Sequence, residues 1–210
     1  MYYTKPDIEN LDKVTKLKLI NSVTGIKPAN LIGSISQKGN ENLAVFSSIV
    51  HLGSNPALLG FIIRPNTKVP RHTYQNILET GYYTINHINE SFTENAHYTS
   101  AKFEKNISEF EKCDLTPEYI DDFKAPFVKE SNFKIGMSLK EYIDIKANGT
   151  ILVIGQIENL LVPDTAYFNE EIDLEKTCSV GISGLNSYYK LKRIATYPYA
   201  RVNQIPKFKK

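Results

Sequence analysis

Arg64, Lys68, Arg71, His72 and Thr73 fall within ten residues, in the stretch RPNTKVPRHT, between an apolar run and a segment able to start a helix. A helix N-terminus offers unpaired N–H groups and positive potential, and adjacent Arg and Lys add charge-assisted donors. The group therefore has the chemistry to hold a phosphate monoester. An exposed basic loop would carry the same residues, because surface cations are common and surface ion pairs contribute little. Thr73 is the expected N-cap, its hydroxyl serving the helix alone or also reaching an anion.

Upstream, Ser47, Ser48, Ser54 and Asn55 bracket the short run Ile49 to Gly53. Small residues beside a broken strand let a planar ligand approach the backbone, whose exposed N–H and C=O groups can read its polar edge. The same residues also suit a bulge and a turn. His51, His72, His87 and His97 form no HxxxH or HxH pattern, so no metal site is assigned. There is no GxSxG elbow and no GxGxxG; Gly33, Gly53 and Gly60 are wrongly spaced, and Gly181 with Gly184 lacks a βαβ context. No residue is assigned a catalytic role.

These groups need a scaffold, and apolar periodicity outlines one. Ile8, Leu11, Val14, Leu17 and Ile20 recur at near-helical spacing after Pro6, predicting one helix over about 7–21. NLIGSISQKGNENLAVFSS reads as a hairpin turning at Gln37-Lys38-Gly39-Asn40. ALLGFII, Ala57 to Ile63, is a continuous apolar run that fits a strand covered on both faces. A helix from Thr73 to Thr80 stops at Gly81, and a strand resumes over Tyr82 to Ile88. Glu90 to Lys112 reads as helical in part, and the stretch around Pro117 and Pro126 as a loop-rich excursion. FKIGMSLKEYIDI and ILVIGQIENLLV are joined by KANGT, where Asn-Gly signals a second hairpin. Six or seven strands joined mostly by hairpins argue for a mainly β protein, a closed antiparallel barrel with peripheral helices, over a doubly wound parallel sheet.

The bulk properties narrow the class. A chain of 210 residues suits a single domain over 1–210: the helix, a core over about 21–189 and an extension over about 190–210. With 41% hydrophobic and 23% charged residues it can bury a core without metal or disulfides. A net charge of +2 falls short of the footprint of a nucleic-acid binder, so an oligonucleotide-binding barrel is a poor third reading. Cys113 and Cys178 form no metal or CxxC pattern, and MYYTKPDIENLDK lacks a signal-peptide core, so a reducing cytoplasm fits. No apolar run approaches the about 18 residues that span a bilayer.

The run NLAVFSSIVHLGSNPALLGFIIRP followed by RHTYQNILETGYYTINHI resembles the flavin reductase-like family of FMN-binding split barrels, which includes flavoredoxin-type proteins. The matching residues are Ser47-Ser48, Ser54-Asn55-Pro56, Arg64, His72-Thr73 and Asn76, with weaker similarity through Tyr83–Asn86 and Ser108-Glu109-Phe110. Two departures stand out. Many relatives have Pro-Phe-Ser and a further aromatic where this chain has Val45-Phe46-Ser47-Ser48-Ile49, and Asp where His72 precedes Thr73.

The resemblance implies an FMN site. Phe46, Ser47, Ser48 and Ile49 would line the ring or ribityl chain, and Ser54 with Asn55 would close that side. Arg64, His72 and Thr73 would bind the phosphate, with Asn76 holding the loop or ligand. It further implies a homodimer with the flavin near the interface, covered by Tyr188 or Tyr189 of the other copy. The activity implied is electron transfer from NADH or NADPH through FMN to a flavin or other small-molecule acceptor, with no nucleic-acid or membrane partner. The alternative is a flavin-binding electron carrier without turnover. His97 could approach the nicotinamide, or face solvent from a helix.

Overall fold

The fold is built around one strongly curled sheet with an apolar cluster on each face. In a computed structural model, residues 1–65 and 69–208 are described. Lys68 of the basic group lies outside them. The chain opens with helices α1 (Lys5–Asn10) and α2 (Lys13–Ser22) and a short strand β1 (Lys27–Pro28). Strands β2 (Asn30–Ile35), β3 (Glu41–Phe46), β4 (Val50–Ser54) and β5 (Ala57–Ile63) follow, then helix α3 (His72–Thr80) and β6 (Tyr82–His87). Helices α4 (Thr93–Tyr98) and α5 (Glu109–Lys112) lead to β7 (Pro117–Glu118) and β8 (Phe127–Val128). The long strands β9 (Lys134–Ile145) and β10 (Thr150–Leu161) precede β11 (Tyr167–Phe168), β12 (Glu171–Ile172), β13 (Val180–Ser183) and β14 (Ser187–Lys190).

Seven strands form the main sheet in the order β3-β2-β6-β9-β10-β5-β4, every pair antiparallel. The two ends of that order are consecutive in sequence. Residues 41–54 therefore act as one bent strand, whose first half pairs with β2 and whose second half pairs with β5. The expected closed barrel is closed through this bend, not by a ladder between β3 and β4. It is a split barrel.

Alternation places Ile32, Phe61, Ile63, Tyr83, Ile85, Met137 and Val153 inside, and Tyr74 and Ile77 of α3 join the same cluster. Leu31 and Leu43 point the other way and pack under Phe92, Ala96 and Phe110 from the helical segment. Both anticipated hairpins form. Gly39 (φ 83°) and Gly149 (φ 72°) take the left-handed turn positions, and Gly81 (φ 77°) ends α3. The run in β5 is covered less evenly than its composition suggests: Gly60, Phe61 and Ile63 are buried, whereas Ala57 to Leu59 are half-buried beside the exposed edge strand β4.

The predicted single N-terminal helix is two. Leu11 is extended, and Asp12 restarts the chain as an N-cap, accepting from Val14 N and Thr15 N at 3.0 Å each. Neither helix buries a residue, so the apolar spacing that suggested a core-facing stripe leaves Val14, Leu17 and Ile20 exposed. Among the described residues no helix is long and apolar enough to cross a membrane.

β3 is an edge strand of the ladder, and its outward N–H at Leu43 is met by Glu109, whose buried carboxylate accepts at 2.9 Å. This contact pins α5 to the sheet. Burial pushes the Glu109 carboxyl above its ordinary range, the bond from Leu43 opposing the shift. The folded state thus holds the proton more tightly than the unfolded chain. The group's contribution is largest at low pH and declines as pH rises through its unfolded pKa towards the raised folded one. Glu109→Ala, which strands the Leu43 N–H, should cost about 1–3 kcal/mol in urea unfolding. Glu109→Gln should keep most of the stability and remove this pH slope.

Candidate functional site

The bend of residues 41–54 is where the sheet stops hydrogen-bonding to itself. Ser47, Ser48 and Ile49 belong to no strand, and Ser48 fills the gap. Its Oγ accepts from Ile62 N at 3.0 Å and lies 3.5 Å from Ile62 O, two residues beyond the Val50↔Gly60 pair. The hydroxyl replaces a ladder bond at the point of partner change. Phe46, just before the bend, meets Phe61 edge-on at 5.2 Å, and Ile49 packs on the interior cluster.

Two residues past Ile62, β5 has ended and Arg64 is exposed. The Arg71 guanidinium folds back to donate to Pro65 O at 3.3 and 3.2 Å. Arg64 also lies within electrostatic reach of Lys27 in β1: burial first, and the Arg64 charge second, lower the pKa of both Lys27 and Arg71. Lys27 Nζ donates to Asn21 O at 2.9 Å and Gly184 O at 3.0 Å. Among the described residues Lys27, Arg64 and Arg71 make no ion pair with a carboxylate. Arg64 is thus set between two like charges, and among the described residues no carboxylate offsets them.

Helix α3 starts beside them. Its N-cap is Arg71 and no side chain caps it, which corrects the expectation that Thr73 would. Thr73 sits inside the helix, buried, and its Oγ1 accepts from Asn42 Nδ2 at 2.9 Å. Asn76 Nδ2 donates to Ser34 Oγ at 3.2 Å, while its Oδ1 is buried without a partner. Asn42 and Ser34 are cross-strand neighbours, so both pairs clamp α3 onto one point of the β2–β3 hairpin. His72 is half-buried, and burial followed by the Lys105 charge pushes its pKa below the ordinary imidazole value. The neutral ring is favoured.

Phe46 and Ser48 therefore meet β5 at Phe61 and Ile62, just before Arg64, and Arg71 bonds Pro65, next to Arg64, at the start of the helix that carries His72, Thr73 and Asn76. Ser54 and Asn55 are elsewhere. They form the exposed tip of the β4–β5 hairpin, where Ser54 pairs with Ala57 and Asn55 precedes Pro56 through a cis peptide bond. Five residues of β5 separate that tip from Ile62, about 16 Å at strand rise. His97 is half-buried; its ring stands edge-on to Tyr188, with Nδ1 3.5 Å from the hydroxyl. Tyr188 is half-buried, and Tyr189 is exposed.

Sequence reasoning missed Lys27 and Asn30. Lys27 precedes Arg64 by 37 positions, with no local motif linking them. Asn30 pairs with Phe46 on one side and His87 on the other, so the three share the interior face. It is 1% exposed, and neither amide atom has a partner. A buried amide with both ends unmet among the described residues calls for a further polar partner.

Two clefts open away from this region. One of about 450 Å³ lies among Ser36, Gln37, Lys38, Asn40, Glu79 and Lys105; another of about 300 Å³ lies between Ile172–Glu175 and Leu191–Arg193. In the larger, Glu79 already pairs with Lys105 at 3.6 Å and accepts from Gln37 N at 3.2 Å. The cations Lys27, Arg64 and Arg71, unmatched by a carboxylate among the described residues, mark the bend as the better candidate.

Known proteins share this architecture. Residues 26–174 match the family model described as flavin reductase like domain. A crystal structure from Shewanella frigidimarina, described as having a flavin reductase-type split barrel domain, is 49% identical, covering 95% of this chain and 100% of its own, with a TM-score of 0.91. Nitrilotriacetate monooxygenase component B from Bacillus cereus is 22% identical over 94% of this chain and 98% of its own, TM-score 0.83. Flavoredoxin of Desulfovibrio vulgaris is 21% identical over 84% and 92%, TM-score 0.72. The likeness to the last two is one of fold.

His87, beside Asn30, stacks on Phe133 at 4.0 Å and lies 3.2 Å from Ser179 Oγ through Nδ1. Burial pushes its pKa from 6.5 down to about 4. The unfolded chain then binds the extra proton first, so stability is complete above pH 6.5 and is lost as pH falls towards 4. The loss should approach about 3 kcal/mol. Urea titrations at several pH values should show this slope, and His87→Asn should remove it.

Proposed function

The chain belongs to the flavin reductase-like family, and from that premise we propose that it is a flavoprotein oxidoreductase. In this reading it binds FMN at the bend of residues 41–54 and carries electrons from NADH or NADPH to a flavin or another small acceptor. It works as a homodimer in the cytoplasm. The observation that carries the reading is the trio Lys27, Arg64 and Arg71, unmatched by carboxylates among the described residues, beside the uncapped start of α3. A phosphate monoester supplies the missing negative charge and meets the free N–H groups of the helix.

The residues fit that group. Arg64 and the first N–H groups of α3 would hold the phosphate, with His72 donating as a neutral ring. Thr73 and Asn76 act as positioning residues, since their hydrogen bonds fix α3 to the hairpin. Phe46 and Ile49 offer an apolar wall, and Ser47 with Ser48 lets a flat ring approach the backbone. The unpaired amide of Asn30, on the face of Phe46, suits the polar edge of such a ring. Ser54 and Asn55, at the far end of β5, are the members of the set on which the reading leans least.

FMN when bound supplies the hydride and electron chemistry, so the protein's work is to bind, orient and exclude. No side-chain acid or base is needed for hydride delivery. The donor, the acceptor and the dimer rest on the family resemblance.

Fluorescence titration tests the phosphate assignment. Arg64→Ala should weaken FMN binding roughly ten- to a hundredfold, as expected for losing a charged hydrogen bond, and leave riboflavin nearly unchanged. Equal losses for both ligands would remove Arg64 from the phosphate site. Purified protein that is colourless and shows no thermal shift with FMN would overturn the flavin reading as a whole. Anaerobic stopped-flow mixing of the FMN-loaded protein with NADH or NADPH should bleach the flavin rapidly. A flavin that stays oxidised would mean an electron carrier.

A further inference from the structure

The segment that follows β14 has no place in the barrel. Residues 191–208 form no strand or α-helix, and Ile194, Tyr197, Tyr199, Val202, Ile205 and Phe208 are between 63% and 98% exposed. The segment leaves the body at the Arg193–Asp173 ion pair of 3.6 Å. Beyond it, among the described residues, the hydrogen bond formed is internal, from Gln204 N to Arg201 O. Six large apolar side chains in so short a stretch exceed the scattered exposure normal for a soluble surface.

We propose that residues 191–208 are a strap that docks on a second copy of this chain. The inference rests on the homodimer part of the proposed function and adds the element that holds the two copies. Area supports it. Its three aromatic side chains would bury roughly 450 Å² per strap, about 900 Å² for two exchanged straps, and the surface they cover adds a similar amount. The total falls in the range of roughly 1,200–2,000 Å² typical of stable interfaces.

Charge points the same way. Residues 191–210 contain six Lys and Arg and no carboxylate; of the chain's 25 cations and 23 carboxylates, 19 and 23 remain in residues 1–190, a net charge of −4. A basic strap thus meets an acidic body. Helix α2 also exposes apolar residues but carries Lys13, Lys16 and Lys18, so it repels the strap. The outer part of β9 matches better. Beyond Leu139 it pairs with β10 alone, and Tyr142 and Ile143 are 49% and 44% exposed between Glu141 and Asp144. Glu141 and Asp144 offset Lys140 and Lys146 there, so the edge is locally neutral where α2 is basic, and a free strand edge with exposed apolar side chains suits an extended segment.

The test uses the full chain with a photoreactive benzoylphenylalanine in place of Tyr199, prepared as a mixture of isotopically light and heavy protein. Irradiation should give covalent dimers whose cross-linked peptides join light to heavy chains. Sedimentation should show that deleting the residues after Lys190 raises the dimer dissociation constant at least about tenfold. Cross-links confined to one chain, or a deletion that leaves dimer affinity unchanged, would overturn the strap while the homodimer stands. A full-length protein that is monomeric at micromolar concentration would overturn both. Strap-dependent sedimentation with phosphatidylserine vesicles and no inter-chain cross-link would make it a membrane-surface segment and also overturn the proposal. FMN titration of the deleted protein keeps the flavin reading separately testable.

Discussion

Residues 41–54 change hydrogen-bonding partners midway, and the rest of the molecule accommodates that change. A strand paired with β2 as far as Phe46 and with β5 from Val50 onwards must leave three residues without a ladder, and unpaired backbone groups are costly unless something meets them. Ser48 bonds Ile62 with its side chain, which holds the two halves of the barrel together without a continuous strand. The bend also leaves a short length of backbone uncommitted at the surface, next to where β5 ends in Arg64. Closure and opening are consequences of the same three residues.

The polar residues around the bend divide by what they bond. Asn42, Ser34, Thr73 and Asn76 bond one another and fix the helix to the hairpin. Lys27 and Arg71 bond backbone carbonyls, which orients each cation without neutralising it. Keeping like charges together is unfavourable, and burial increases the cost. A fold governed by stability alone would place a carboxylate among them, as it does for Lys134 with Glu118. The contrast between that paired lysine and the unpaired trio is why the site is read as a receptor for an anion.

Much of the scaffold was legible because its signals are local. Gly39, Gly81 and Gly149 stand where positive φ is required, and alternating apolar residues set the strands between them. The basic group was legible for the same reason, being contiguous. Non-local pairing was not. Lys27 reaches Arg64 only after β1 has paired with β13, and Asn30 becomes a buried amide only because β3 and β6 flank it. Thr73 looked like a cap because a hydroxyl at a helix start usually is one; Asn42, from another strand, claims it instead. The N-terminal periodicity misled in the opposite sense, since spacing reports a stripe but not what covers it.

That last point bears on how the molecule is completed. The exposed apolar residues of α2, a free edge beyond Leu139 in β9 and the uncovered segment after β14 all belong to surfaces that one chain leaves uncovered. The interior of the barrel is filled by two apolar clusters, and none of these residues belongs to either. Their side chains are too large and too many to be neutral decoration on a body of this size. Charge then separates them: the lysine-bearing helix repels the basic segment, while the strand edge, where Glu141 and Asp144 offset Lys140 and Lys146, does not. In the proposed homodimer a second copy would supply that edge in the correct stoichiometry, which an unrelated partner would have to match independently.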